Sequence, residues 1–269
     1  MDQKFVEKYG SWALITGASS GIGVEFANQI AEKGLNIVLV ARRKQLLETV
    51  AADLEKKYNI ETRVIEADLS KDGFQSDILD ATKDLEIGLL VNNAGMNCEG
   101  QFYRGSLERN LQMLQLNTKA PFVLGYEFGK QFISHGKGGI IFTSSISAFN
   151  AHPYLSHYAA TKAYILSLAE SMNYEFKDKN VDVLALCPGM TKSEMTKGMK
   201  DGPMLMEAAP VVKAALDNLG KESYVVPGII NKAQVFINSR ILNRDGAKSL
   251  SGAVLKKVLP GVAKKKSKS

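Results

Sequence analysis

Cysteine is almost missing from this chain: Cys98 and Cys187 are the only two in 269 residues. That excludes a disulfide-built scaffold and fits an expected reducing interior. No apolar run reaches the roughly 18–20 residues that a spanning helix needs, so no transmembrane segment is expected. The first ten residues are charged and mixed and lack the apolar centre of an export signal, which makes the expected location cytoplasmic. Histidine is scarce as well. His135, His152 and His157 stand at no spacing with Cys or carboxylates that would build a metal centre, so no metal is expected. With 7 Pro, 23 Gly, 45% hydrophobic and 23% charged residues, collagen-like and disordered classes are excluded too.

Acidic residues are missing locally rather than globally. Residues 256–269 hold Lys256, Lys257, Lys264, Lys265, Lys266 and Lys268 and no carboxylate, and these account for the whole net charge of +6. Residues 1–255, expected to form a single domain, are therefore formally neutral. A neutral body with a basic tail lacks the continuous basic face of a nucleic-acid binder, and no nucleic acid is expected. The tail reads as a solvated, flexible terminus, with attraction to anionic lipid or an acidic partner as the alternative.

What is present is a regular alternation. Apolar, β-branched runs at 12–16, 36–41, 62–67, 87–91, 139–143 and 181–186 predict strands. Amphipathic or charged stretches at 22–33, 44–58 and 157–177 predict helices. Near-continuous apolar strands separated by helices require a parallel sheet covered on both faces. The expected fold is therefore α/β, a Rossmann-type doubly wound sheet in one domain.

Thr16-Gly17-Ala18-Ser19-Ser20-Gly21-Ile22-Gly23 follows the first strand and opens a helix. Glycines at 17, 21 and 23 allow a tight turn and close approach to a pyrophosphate, whose charge a helix N-terminus favours. The pattern is G-x-x-x-G-x-G, and the strand before it and helix after it supply its specificity. The second strand ends in Ala41, Arg42 and Arg43 where an acidic residue would select a ribose hydroxyl. Guanidinium groups suit a 2′-phosphate, so the expected cofactor is NADP(H), with Arg42 the favoured contact. The alternative is that both arginines are solvated or pair with Glu48.

Tyr158 and Lys162 lie four residues apart at the start of a predicted helix and share its face. A nearby cation favours phenolate and would bring Tyr158 toward a working acid–base range. Ser145, at the end of the fifth strand, offers a hydroxyl to a substrate carbonyl.

Over roughly residues 10–230 the chain resembles the short-chain dehydrogenase/reductase family. The resemblance rests on the 16–23 turn, Asp68-Leu69, Asn92-Asn93-Ala94-Gly95, Asn117, Ser145, Tyr158-x-x-x-Lys162 and Pro188-Gly189. It implies Tyr158 as proton donor in reduction, and Lys162 on the nicotinamide ribose and tuning Tyr158. It also implies Ser145 orienting the carbonyl and Asn117 holding a relay water. Asp68 and Leu69 would lie at the adenine, and Asn93, Ala94 and Gly95 beside the cofactor. Pro188 and Gly189, with Thr191 or Ser193, would meet the carboxamide; Ser193 stands where the family usually has Thr. Homodimers or homotetramers, paired through helices near 103–135 and 157–177, are expected by the same analogy. The Ala-Arg-Arg ending and Tyr224-Val-Val-Pro-Gly228 resemble the NADP-preferring branch of ketone, hydroxysteroid and long-chain 3-oxoacyl reductases.

Specificity is expected from residues 146–157 and 190–210. The second segment holds Met190, Met195, Met199, Met204 and Met206. A Met-rich lid suits a lipophilic carbonyl, and a helix packed on the core is the alternative. Cys98 is expected to be a small buried packer. The expected activity interconverts a ketone and a secondary alcohol. The alternatives are a reductase of carrier- or CoA-bound 3-oxoacyl groups, for which Arg104, Lys192, Lys197 and Lys200 suggest a docking patch, and a non-catalytic NADP-binding sensor or scaffold. Beyond 229, apolar residues at helical spacing (Val235, Phe236, Ile241, Leu242, Leu250, Val254, Leu255, Val258 and Leu259) are expected to pack on the sheet or a partner subunit in preference to a membrane.

Overall fold

The computed structural model describes residues 2–198, 202 and 204–258. Strands β1 (Trp12–Thr16), β2 (Asn36–Ala41), β3 (Thr62–Glu66), β4 (Ile87–Asn92), β5 (Gly138–Thr143), β6 (Val181–Leu186) and β7 (Tyr224–Val225) form one parallel sheet in the order β3-β2-β1-β4-β5-β6-β7. The six runs read from the sequence are all strands; β7 was not predicted.

The sheet is apolar on both faces because period-two alternation divides each strand between two cores. Ile15, Leu39, Val91, Ile141 and Leu184 pack with Phe26, Ile30, Leu47 and Val212, from α2 (Gly21–Glu32), α3 (Lys44–Tyr58) and α8 (Ala208–Asn218). Leu14, Val40, Leu90, Ile140 and Val183 pack with Ile78, Phe128, Phe132 and Ile165 on the other face. These come from α4 (Phe74–Thr82), α6 (Ala120–His135) and α7 (Ser156–Phe176). Each fully buried large side chain contributes roughly 1.5–3 kcal/mol.

The chain order reverses between β1 and β4, which opens a crevice at their C-terminal ends. The loops leaving β1 and β4 border that crevice, and the loops leaving β5 and β6 extend it.

The charged N-terminus forms a short helix, α1 (Gln3–Tyr9), whose first turn is capped by Asp2: Phe5 N–H donates to Asp2 Oδ1 at 3.2 Å. Tyr9 donates to Asp182 at 2.7 Å, and Lys8 pairs with the same carboxylate. Burial first, and then Asp182, push the Tyr9 phenol far above its ordinary range. Room for α1 comes from strand glycines. A Cβ on Gly88 would lie 2.0 Å from the Tyr9 carbonyl oxygen, and one on Gly139 2.8 Å from the Tyr9 ring. Among the described residues no helix is long and apolar enough to cross a membrane.

Gly88→Ala is expected to lower stability by roughly 1–3 kcal/mol through this forced overlap, read as an earlier midpoint in chemical denaturation.

Candidate active site

The turn after β1 is built for a closely approaching anion. Gly17 and Gly21 have φ of +68° and +54°, the left-handed region open to glycine. A Cβ on Gly23 would lie 2.2 Å from the Gly17 carbonyl oxygen, so a side chain there would fill the cradle. Ser20, the N-cap of α2, makes no side-chain cap bond, and the first-turn N–H groups face the turn. Thr16 stitches the turn to the β4 loop: its Oγ1 donates to Val91 O at 3.3 Å and accepts from Asn93 N–H and Ala94 N–H, each at 3.0 Å. Asn93 Nδ2 returns to Thr16 O at 3.1 Å.

Arg43, not Arg42, reaches back to the turn, donating to Ser19 at 3.0 Å and Ser20 at 3.3 Å. Glu48 pairs with Lys44 rather than with either arginine. Arg42 faces Asp68. Burial pushes that carboxyl up, but hydrogen bonds from Ser70 and the Arg42 charge outweigh it and hold the group below its usual range. Leu69 is buried. The glycine cradle fits the pyrophosphate of a nicotinamide dinucleotide.

At the other end of the crevice, the third residue of α7 is Tyr158, half-buried, with buried Lys162 one turn on. Lys162 Nζ donates to Thr143 O at 2.7 Å and lies 5.7 Å from the Tyr158 ring centroid. A Cβ on Gly95 would stand 3.5 Å from that ammonium, in ordinary contact, which places Gly95 directly beside Lys162. Burial lowers the Lys162 pKa to about 8. Burial raises the Tyr158 pKa, and the facing Ser145 hydroxyl opposes the rise. The expected net depression of the phenol is therefore corrected: in the protein alone desolvation outweighs the help the phenol receives.

Asn117 sits in a π-turn, Gln115–Lys119, between α5 (Leu107–Leu114) and α6. The wider turn aims its amide sideways. It accepts from Met96 N–H and donates to Met96 O, both at 2.9 Å, and to Thr161 at 3.1 Å. Ser145 caps the next turn by accepting from Ser147 N–H at 3.1 Å, and Ile146 N–H donates to Pro188 O at 3.0 Å. So Asn117, Ser145, Tyr158, Lys162, Gly95 and Pro188 surround one end of the crevice.

Residues 190–193 and Met206 come together beside the phosphate turn. Met206 N–H donates to Met190 O and Lys192 N–H to Met206 O, each at 2.9 Å. A Cβ on Gly21 would lie 2.7 Å from Ser193 Cβ, and buried Thr191 bridges to Met206. Met195 and Met204 are exposed, Met206 packs inward, and Met199 lies outside the described residues.

Sequence reasoning missed several groups. Asn231 on α9 (Ile229–Phe236) is buried, donates to Pro227 O at 2.8 Å and would clash with any Cβ on Gly189 at 2.4 Å. His152 is buried with Nε2 unpartnered, and buried oxygens of Asn97 and Gln101 are unpartnered too. The 97–101 and 152–155 segments are joined by Gly100 N–H donating to Tyr154 O at 2.9 Å. Cys98 is half-buried rather than enclosed, donating weakly to Arg109 O. Cys187 is the buried thiol, pushed up to about 12 by desolvation. Of the suggested basic patch, Lys192 is paired with Glu207, Arg104 stacks over Tyr103, Lys197 is exposed and Lys200 lies outside the described residues.

With this geometry in view, residues 11–203 match the family model for short chain dehydrogenase. The chain is 31% identical over 246 residues to 7beta-hydroxysteroid dehydrogenase of Clostridium sardiniense, covering 90% of this chain and 94% of the relative. It is 30% identical over 236 residues to very-long-chain 3-oxoacyl-CoA reductase of Mus musculus, covering 86% and 76%. A solved 7beta-hydroxysteroid dehydrogenase superposes with a TM-score of 0.87 at 28% identity, covering 92% of this chain and 98% of that one. A short-chain dehydrogenase from Sphingobium yanoikuyae, solved with NADPH, superposes at 0.75 and 31% identity, covering 86% and 93%.

The chain belongs to the short-chain dehydrogenase/reductase family. It is an oxidoreductase acting between CH–OH and C=O with a nicotinamide cofactor.

Gly23→Ala is expected to weaken nicotinamide-nucleotide binding at least about tenfold in calorimetric titration, because the added methyl enters the pyrophosphate cradle; the far-UV spectrum should be unchanged.

Proposed function

We propose that this protein is an NADP(H)-dependent reductase of a lipophilic ketone, forming a secondary alcohol with Tyr158 as the acid. The carrying observation is the convergence of the Tyr158 phenol, the Ser145 hydroxyl and the Lys162 ammonium at one end of the crevice. Bound nicotinamide supplies the hydride. Ser145 holds the carbonyl oxygen by donating to it. Tyr158 delivers the proton to that oxygen, and Ser145 favours the phenolate left behind. Lys162 retains donors beyond the one given to Thr143, for a ribose hydroxyl beneath Gly95. Asn117, tied to Met96 and Thr161, positions the relay water.

The adenine end is assigned to Thr16, Gly17, Ser19, Ser20, Gly21, Ile22, Gly23, Asp68 and Leu69, with Arg42 and Arg43 on the 2′-phosphate. Asn93, Ala94 and Gly95 flank the cofactor, and Pro188, Gly189, Thr191 and Ser193 meet the carboxamide. The arginine pair and the absence of a carboxylate at the end of β2 support NADP(H) over NAD(H). Exposed Met195 and Met204 in the segment after Pro188-Gly189 support an apolar substrate, and the buried unpartnered atoms of His152, Asn97 and Gln101 support a polar group on it. Exposed Leu107, Leu111, Phe122, Tyr126 and Tyr174 on α5, α6 and α7 support self-association there as a dimer or tetramer.

Tyr158→Phe is expected to lower kcat about 10²–10⁴-fold while leaving NADPH binding nearly intact, measured by NADPH oxidation against a ketone panel and by nucleotide titration. Retained turnover would remove Tyr158 as the acid. Arg42→Ala and Arg43→Ala are each expected to raise the KM for NADPH about tenfold or more and to leave that for NADH little changed.

The pH profile has a definite sign. Lys162 carries its charge below about 8 and loses it above, and the raised phenol stays protonated through neutrality. Reduction should be flat in the neutral range and fall as pH rises past about 8, where the ammonium is lost.

A further inference from the structure

The segment after β7 is built inside out. Helix α9 runs into a π-turn, Ile237–Ile241, and then α10 (Arg244–Val258). The side of α9 and its π-turn that faces the protein carries Asn231 and Asn238, both buried. The side that faces solvent carries Ile229, Phe236 and Ile241, exposed by 80%, 58% and 64%, with Ile230 and Ile237 beside them. Leu250 and Val254 on α10 are exposed as well. The expectation that this stripe packs on the protein holds for Val235, which meets the core, and for half-buried Leu242 and Leu255, and fails for Phe236, Ile241, Leu250 and Val254, which face solvent.

Charge decides what covers the stripe. Between 229 and 258 the chain has Lys232, Arg240, Arg244, Lys248, Lys256 and Lys257, and one carboxylate, Asp245, which pairs with Lys248 at 2.6 Å. The sequence continues with Lys264, Lys265, Lys266 and Lys268. Two copies meeting through this face would bring like charges together, whereas an anionic bilayer is complementary to cations and apolar side chains at once. Asn231 ties the same helix to Gly189 and, through a 3.3 Å contact, to Met206 at the base of the methionine segment. The face therefore lies beside the crevice that the site opens into.

We propose that the outward face of α9, its π-turn and α10 docks on an anionic lipid surface. Ile229, Phe236 and Ile241 enter the acyl boundary, and the surrounding lysines and arginines rest on phosphate headgroups. The assignment stands apart from the substrate proposal, because docking is measured with neither cofactor nor substrate.

The test is sedimentation of the full chain with vesicles of phosphatidylcholine, pure or with about one-third phosphatidylglycerol. Binding is expected on the anionic vesicles and to be near background on pure phosphatidylcholine, weakening as salt rises. Phe236→Ser with Ile241→Ser, and separately Arg240→Glu with Arg244→Glu, should each lower the bound fraction about tenfold with turnover in solution and thermal midpoint unchanged. The proposal is overturned by no binding to anionic vesicles or by equal binding to both kinds. It is overturned equally if the Phe236→Ser, Ile241→Ser variant binds like the parent while deletion of 256–269 abolishes binding, for then the tail alone is responsible. A smaller oligomer for that same double variant in light scattering would assign the face to a second copy instead.

Discussion

The site depends on keeping one ammonium group charged inside the protein. Lys162 is buried, and burial, only partly opposed by the neighbouring Cys187, brings its pKa down to about 8, near the point where it would cease to be a cation. Its hydrogen bond to Thr143 O meets part of the cost, and the carbonyl can sit there only because β5 ends at that residue, freeing its last acceptor from the sheet. Ser144 then donates to the Lys162 carbonyl at 2.8 Å, which locks the start of α7 against the end of β5. One strand end thus sets the position of cation, helix and phenol together, and Ser145 follows as the next residue of the same chain.

The crevice is held open by similar economy. Thr16 serves three partners from a single hydroxyl, and Asn93 returns a bond to the Thr16 carbonyl, so the loops leaving β1 and β4 move as one piece. The glycines that look permissive in sequence are mostly there for closeness. Gly23 lies against Gly17, and Gly95 lies over Lys162. A Cβ on Gly23 would overlap the Gly17 carbonyl, so the turn and the start of α2 can lie this close only with glycine there.

The sheet and the Tyr158–Lys162 pair were legible because each announces itself locally. Strands β1 to β6 are apolar runs bounded by Gly, Pro or charge, and Tyr158 and Lys162 are one helical turn apart. Features resting on distant contacts were not legible. Helix α1 is short and charged, and it is anchored through Tyr9 to Asp182, 173 residues away. Strand β7 has two residues, too few for a periodicity. The π-turn at Asn117 is a hydrogen-bond register, which composition does not encode. The phenol's raised pKa was misjudged because spacing reveals a neighbouring cation but not the desolvation that accompanies it.

The C-terminal helices show the same division more sharply. Hydropathy at helical spacing identifies a stripe, but it cannot say whether that stripe faces in or out. Here the answer comes from Gly189, a residue far away in sequence. It is small and follows Pro188 at the end of the crevice that holds Ser145, and the group that fills the space beside it is the Asn231 amide, bonded to Pro227 and Met206. A helix has one buried side. Because that side of α9 is taken by the Asn231 amide and by Val235, the isoleucines and Phe236 are left on the outside. The polar support of the site and the apolar surface beside it are therefore two consequences of a single helix orientation, and neither would exist if α9 were turned by half a revolution.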